Sequence, residues 1–368
     1  MGHVKAETKQ QGLDEAIADL YAVPRMNETR LKYLLAHFGS PGRVLDAKRA
    51  ELLDVEKVDK ELASAVVAYK RSEETERRIS AARAAGVRTV CFTDPDFPAN
   101  LRELAHMPPV LFMRGEVKES DSVAVAVVGT RLASNYGRQV AEKLGADLAR
   151  NGVSVVSGLA RGIDSYAHRG ALAAGGRTLA VLGCGVDVYY PPENRKLQDE
   201  IAEKGAVISE FPLGTEPLAM NFPKRNRIVS GLSRGVVAVE AGEKSGVLNT
   251  VAWAVDQGRD VYVVPGNVTA RQSVGTNRLL RDGARPVMSA EDILRELGVA
   301  AGRAERANVE VAEEEKPVLE LLTSEPMHVD DIGEELGTPM GSLLSVLLQL
   351  ELKGLVRQLP GKLFVREL

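Results

Sequence analysis
Four short stretches of this 368-residue chain gather glycines, hydroxyls and cations where they could hold an anion. The first is Gly129-Thr130-Arg131, which ends the β-branched run Val123–Val128. The second is Ser157-Gly158, followed by Arg161-Gly162. The third runs from Asn221 to Ser230 and contains Phe222, Lys224, Arg225, Asn226 and Arg227. The fourth is Lys244-Ser245-Gly246, with Asn249 and Thr250 close behind. Glycine lets a backbone approach a ligand, and a helix N-terminus offers unpaired N–H groups to an anion. Two bland readings stand beside this one: Arg161 could pair with Asp164, and Ser245 could simply cap a helix. Lys224, Arg225 and Arg227 oppose the dipole of the helix they open, so a bound anion or a neighbouring carboxylate must offset them. Asn226, in their midst, can hydrogen-bond a base edge or a sugar.

The stretches do not spell the familiar nucleotide fingerprints. GTRLASNYG does not match G-x-G-x-x-G, the strand ending at Ser157-Gly158 lacks the acid that would hold a ribose, and no G-x-x-x-x-G-K-[ST] occurs. Gly231-Leu232-Ser233-Arg234-Gly235 reproduces a nucleophile elbow letter for letter, but a helix precedes it and a strand follows, the reverse of what that turn needs. The histidine downstream of it is His328, far along the chain. His106 and His168 have no companions at metal-ligand spacing, and His168 reads as a structural or groove-lining residue. Two cysteines, Cys91 and Cys184, make neither a zinc site nor a disulfide framework. No catalytic residue, metal or cofactor is expected.

The elements that must position these loops follow a clear rhythm. From Val123, short β-branched runs (VAVAVV, VSVV, TLAVLG, AVIS, VVAVE, DVYVVPG) alternate with helical segments at 136–150, 163–174, 195–203, 222–232 and 248–257. Such alternation implies βαβ units and a parallel sheet covered on both faces, a doubly wound α/β domain with ligands at the carboxyl ends of its strands. Residues 1–84 read as a helical domain: 13–21, 29–38, 49–53 and 60–84 are helical, with Gly39 as a C-cap. LLAHFGSPGRVLDAKRAELLDV resembles half of a helix-hairpin-helix module, whereas its second half lacks the glycine that brings backbone N–H groups to a phosphate. Residues 85–122 connect into the sheet through strands at 87–92 and 110–114, the α/β domain spans 123–298, and 299–316 is a charged linker. Residues 317–368 give three helices and a two-stranded wing, the winged-helix pattern.

Charge narrows the partners. The chain carries 47 Lys+Arg and 51 Asp+Glu, a net of −4, but residues 123–298 hold 21 basic against 18 acidic residues while 317–368 hold 4 against 8. An anionic partner therefore belongs on the middle domain. The third helix of the tail, Met340–Lys353, has no Arg, Asn or Gln at its start to read bases, so the tail reads as a protein-contact module or weak DNA binder. No apolar run approaches the roughly 18 residues of a membrane span, and the polar N-terminus lacks a signal-peptide core. The expectation is a cytoplasmic protein with no membrane partner.

The motifs VAVVGTRLASNYG, VSGLARGIDSYAHRGAL, FPKRNRIVSGLSRGVVAVEAG and KSGVLNTVAWAVDQGRDVYVVPGN, in this order, resemble the DNA processing protein A (DprA/Smf) family. The resemblance covers residues 123–298 almost without gaps. It implies an extended Rossmann-like fold with an N-terminal helical extension, and a non-enzymatic, dimeric protein of natural transformation. Such a protein protects incoming single-stranded DNA and loads the recombinase RecA in place of single-strand binding protein. The family's V-G-[TS]-R turn falls on Arg131 and its F-P-x-R-N-R helix start on Phe222–Arg227. Lys224, Arg225 and Arg227 are then expected to take phosphates, and Phe222 to support or stack on a base. About four cations would give a salt slope near −3, at roughly −0.7 per phosphate on single strands. Replacing Arg131, or Lys224 and Arg225 together, is expected to weaken binding and leave the fold intact. An enzyme alternative is a nucleotide N-glycosidase similar to the phosphoribohydrolases, although Glu240–Gly246 lacks their P-G-G-x-G-T-x-x-E. A winged-helix transcription factor is a third reading, which requires duplex binding by 317–368 alone.

Overall fold
The computed structural model describes residues 2–102, 104–299, 312–323 and 325–366. Six helices open the chain: α1 (Gly2–Ala22), α2 (Glu28–Phe38), α3 (Pro41–Asp46), α4 (Arg49–Leu53), α5 (Lys60–Ala68) and α6 (Glu73–Ala84). Asn27 caps α2 by accepting from Arg30 N–H, and Gly39 ends it in the left-handed region with its N–H on Leu35 O. Residues 60–84 form two helices. Ser72 accepts from Thr75 N–H to start α6, and Arg71 in the break binds Asp19 at 2.8 Å and Glu15 at 3.0 Å, holding the bend against α1.

A nine-stranded sheet follows, built from β1 (Val87–Cys91), β2 (Val110–Gly115), β3 (Ala124–Val128), β4 (Ser154–Ser157), β5 (Thr178–Val181), β6 (Ala206–Ser209), β7 (Gly235–Ala238), β8 (Asp260–Val263) and β9 (Arg285–Pro286). Its order is β1-β2-β6-β5-β4-β3-β7-β8-β9. From β6 to β9 every pair is parallel, whereas β2 runs antiparallel to β6 and to β1. The segment 85–122, expected only to lead into the sheet, is thus its antiparallel edge. Short α7 (Ala99–Arg102) lies within it. The helices covering the sheet are α8 (Asn135–Arg150), α9 (Ile163–Ala173), α10 (Arg195–Lys204), α11 (Asn221–Gly231), α12 (Val247–Asp256), α13 (Val274–Arg281) and α14 (Ala290–Glu296).

The central strands are buried along their length because apolar clusters lie on both faces. Ala126, Val128 and Val236 join one, and Val125, Val127 and Val237 the other. Two glycines set the spacing of α8 and α9. A Cβ on Gly170 would fall 1.9 Å from Glu142 O, and one on Gly145 2.3 Å from Ala167 O, so only glycine permits this approach. Strand order reverses at β3, which has β4 on one side and β7 on the other. In a doubly wound sheet a crevice opens at such a reversal, outside the strand carboxyl ends.

The tail comprises α15 (Lys316–Leu321), β10 (Met327–His328), α16 (Val329–Leu336), α17 (Met340–Leu352), β11 (Val356–Leu359) and β12 (Leu363–Arg366). Its three strands pair in the order β10-β12-β11 over a separate core containing Ile332, Leu343, Leu347 and Phe364. Most of the expected linker 299–316 lies outside the described residues.

Candidate nucleic-acid interface
The crevice at the β3–β7 reversal is an open cleft of about 770 Å³. The turns after β3, β4 and β7 and the first turn of α11 line it. At the end of β3, Thr130 N–H donates to Glu240 O and its hydroxyl accepts from Leu132 N–H. Gly129 has no room for a side chain, since a Cβ would lie 2.3 Å from Ile163. Arg131 follows, exposed, with its guanidinium 5.5 Å over the Phe222 ring. No carboxylate pairs with it among the described residues.

The helix start after β3 differs from expectation. The chain's own groups occupy it: Ser134 caps Gly137 N–H, and the buried Glu240 carboxylate accepts from Ser134 N–H at 2.9 Å and from its hydroxyl at 2.5 Å and lies against Gly137. Glu240 closes the α8 N-terminus from the end of β7, so the anion at this dipole is the chain's own.

The second turn divides. Gly158, Ala160 and Arg161 line the cleft, but Ser157 is buried and its hydroxyl donates to Val127 O at 2.6 Å, holding β4 to β3. Ser157 is therefore a sheet residue and not a ligand contact. Arg161 does not pair with Asp164. Its guanidinium binds Glu193 in an exposed ion pair, while Asp164 accepts from Gly158 N–H and Ala160 N–H. Burial pushes the Asp164 carboxyl up, against the opposing influence of Arg225 and of the N–H groups of Ala160, Gly129 and Gly158.

The cation cluster of α11 points three ways. Pro223 falls in the first turn, where a missing N–H costs nothing. Phe222 projects into the cleft and lies against Gly183, Tyr190, Arg131 and Arg225, with ring centroids of Phe222 and Tyr190 5.6 Å apart. Arg225 is buried in the floor of the cleft, where its guanidinium also lies over the Phe222 ring. It donates to Val181 O and, at 2.8 Å, to Gly158 O, and burial lowers its pKa while Asp164 acts to raise it. Arg227 makes a bidentate pair with the buried Glu210, at 2.8 and 2.6 Å. Arg225 and Arg227 were expected to face phosphates; both are instead held by internal partners that offset their charge. Its two carbonyl partners give Arg225 a structural role beside any contact with a ligand. Lys224 is exposed, on the flank of α11 facing away from the cleft lining.

The fourth turn supplies Ser245, Gly246 and Asn249 to the lining, with Lys244 exposed beside them. Ser245 Oγ accepts from Val247 N–H at 3.3 Å, the capping role already open to it. Asn226 Nδ2 donates to Asn249 Oδ1 at 3.0 Å, which joins α11 to α12 across the cleft. Glu193, Glu210, Glu240 and Tyr190 are site residues that sequence reasoning missed. Each reaches its partner across a long stretch of chain, so no local spacing signals it.

His168 is structural: it is buried on α9 with Nδ1 2.6 Å from the Thr178 hydroxyl. That hydroxyl donates to Val155 O, which leaves it to accept from Nδ1–H. Burial, aided by Arg225, lowers the His168 pKa to about 3. Ser233 of the false nucleophile elbow is buried and donates to Val229 O. Among the described residues, no cluster of His, Cys, Asp and Glu could hold a metal ion, and no helix is long and apolar enough to cross a membrane.

Comparison with known proteins adds two family matches, DNA recombination-mediator protein A over residues 88–298 and the DprA winged helix domain over 302–362. Protein Smf of Synechocystis sp. is 36% identical over 312 residues, covering 74% of this chain and 78% of its own length. DNA processing protein DprA of Streptococcus pneumoniae is 43% identical over 203 residues, 55% of this chain and 72% of its own. The X-ray structure of the S. pneumoniae protein superposes with a TM-score of 0.66 at 33% identity, over 77% of this chain and 97% of that one. A Helicobacter pylori DNA processing protein A, whose structure is described for its single-stranded DNA binding mode, gives 0.53 at 30% identity over 59% and 97%.

Proposed function
Because the chain belongs to the DNA processing protein A family, we propose that its cleft binds single-stranded DNA without regard to sequence and performs no catalysis. The observation that carries this reading is Arg131, exposed over Phe222 at the mouth of a glycine-lined cleft and without a carboxylate partner among the described residues. A flexible strand gains sequence-independent affinity there as cations release counterions from its phosphates. Gly129, Thr130, Gly158, Arg161, Phe222, Asn226, Ser245, Gly246 and Asn249 form the trough, with Lys244 beside it and Lys224 on the far flank of α11. Ser157 and Arg227 serve behind it, and Arg225 within its floor, by holding the strands and α11 in place.

Asp164 is the carboxylate in the lining, buried, with Oδ2 accepting from the N–H groups of Gly158 and Ala160. The further partners, RecA, single-strand binding protein and a second copy of the chain, rest on the family alone, as does the role in natural transformation. Oligo-dT titration followed by anisotropy tests the central claim. The expected result is saturable binding that weakens with salt and with Arg131→Ala. Release of free base from nucleoside monophosphates would overturn the non-catalytic reading.

A further inference from the structure
Behind the ridge formed by α11, a second open groove of about 620 Å³ lies between the N-terminal helices and the sheet domain. Its walls carry Lys32 and Tyr33 of α2, His106, Lys224 and Arg227 of α11, and Trp253 of α12. Trp253 is the chain's one tryptophan, and it is half-buried with the exposed His106 ring set edge-on at a centroid distance of 5.7 Å. The sheet domain is poor in aromatics, which makes this pairing conspicuous beside two lysines. Lys32 donates to Ala105 O at 3.1 Å and keeps further ammonium protons available, while Arg227 is neutralised by Glu210. One carboxylate, Glu28, lines the groove; burial and nearby Glu210 push its pKa up, while Arg227 and Lys224 act to lower it.

The two grooves share the same pair of helices. On α11, Phe222, Pro223 and Asn226 line the first, and Lys224 and Arg227 the second. On α12, Asn249 lines the first and Trp253, one turn on, the second. The hydrogen-bonded Asn226–Asn249 pair spans the helices between them. Aromatic faces beside cations are what tracks for single-stranded nucleic acid use, because every base has a π-face and every nucleotide a phosphate. Resting on the single-strand reading of the first cleft, we propose that this groove is its continuation. A strand leaving the cleft crosses the α11–α12 ridge, stacks a base on Trp253 and His106, and sets phosphates against Lys224 and Lys32.

The lone tryptophan reports directly on the idea. The full-length chain is titrated with oligo-dT of about 6 and about 16 nucleotides, which bracket the site sizes of comparable single-strand grooves. The longer oligomer is expected to quench Trp253 emission, and the shorter to bind without doing so. A stacked base is worth about 1–3 kcal/mol, so Trp253→Ala should weaken the longer oligomer about 5- to 150-fold and leave the shorter unchanged. His106→Ala, at an exposed position, should shift the longer one in the same direction. Unchanged emission at saturation by the longer oligomer overturns the second groove alone. Binding of neither length by the unsubstituted chain overturns the first cleft, and the second with it. Equal losses for both lengths in Trp253→Ala indicate general damage; His106→Ala then decides, and its retaining full affinity for the longer oligomer overturns the proposal.

Discussion

Replacing Arg131 by Ala removes one cation from the proposed trough, and its effect can be worked out from how the cluster divides. Three cations at the cleft, beside it and on the far flank of α11 are exposed with no carboxylate partner among the described residues: Arg131, Lys244 and Lys224. Arg225 and Arg227 are subtracted because internal groups hold them, and Arg161 because Glu193 does. At roughly −0.7 per phosphate, three contacts give a slope of about −2.1 in log affinity against log salt. Raising salt from about 50 to 200 mM should then weaken binding about 18-fold in the unsubstituted chain and about 7-fold in Arg131→Ala, whose slope falls to about −1.4. At fixed salt the lost charge-assisted contact, about 1.5 kcal/mol or more, should cost at least about tenfold in affinity. The assay is anisotropy of labelled oligo-dT at four or five salt concentrations, with circular dichroism to show that the exposed substitution leaves the fold alone. An unchanged slope with unchanged affinity would refute the assignment of Arg131 to a phosphate. A slope near that of five or six contacts would refute the subtraction of the buried arginines.

Three further outcomes follow from neighbouring residues. Arg225→Ala strips a buried guanidinium from two carbonyls and leaves Asp164 buried without its counter-charge; denaturant unfolding should show a loss of about 3–5 kcal/mol, and wild-type stability would contradict the structural role. Glu193→Gln releases Arg161 from its exposed pair, so the salt slope should steepen by about 0.7 and binding tighten, whereas weaker binding would mean that Glu193 positions Arg161. His168 has a folded pKa depressed to about 3 against an unfolded value near 6.5, so its contribution is complete above about pH 6.5 and is lost as pH falls toward 3. Unfolding free energies measured between about pH 7 and 4 should fall less steeply in His168→Asn than in the unsubstituted chain, and parallel curves would sink this assignment.

The sheet was legible because its signals are local. Ala124–Val128, Ser154–Ser157 and Thr178–Val181 are short runs rich in β-branched and small residues and bounded by turns, and Gly39 announces the end of α2 through its position alone. The two edge strands were legible at 87–92 and 110–114, but their antiparallel place in the sheet was not, because β2 finds β6 across ninety or more intervening positions. Helices α13 and α14 and strand β9 are short elements that the β-run rhythm does not reveal. In the site, sequence placed the right turns at one rim but could not say which way a side chain faces. Lys224, Arg225 and Arg227 look alike in the chain, yet one is exposed, one is buried in the cleft floor and one is tied to Glu210. Helical rotation of about 100° per residue separates them, and the long-range acid that claims Arg227 carries no motif.

The carboxylate of Glu240, seated on the first turn of α8, shapes what the cleft can recognise. A vacant helix start would grip any solitary phosphate, and the free nucleotides that crowd a cell would compete for it. With that berth taken from within, a monomer finds only scattered weak contacts, and attraction has to accumulate along a polymer. Selectivity for a long strand over its own building blocks can thus arise from what the protein denies a ligand as much as from what it offers.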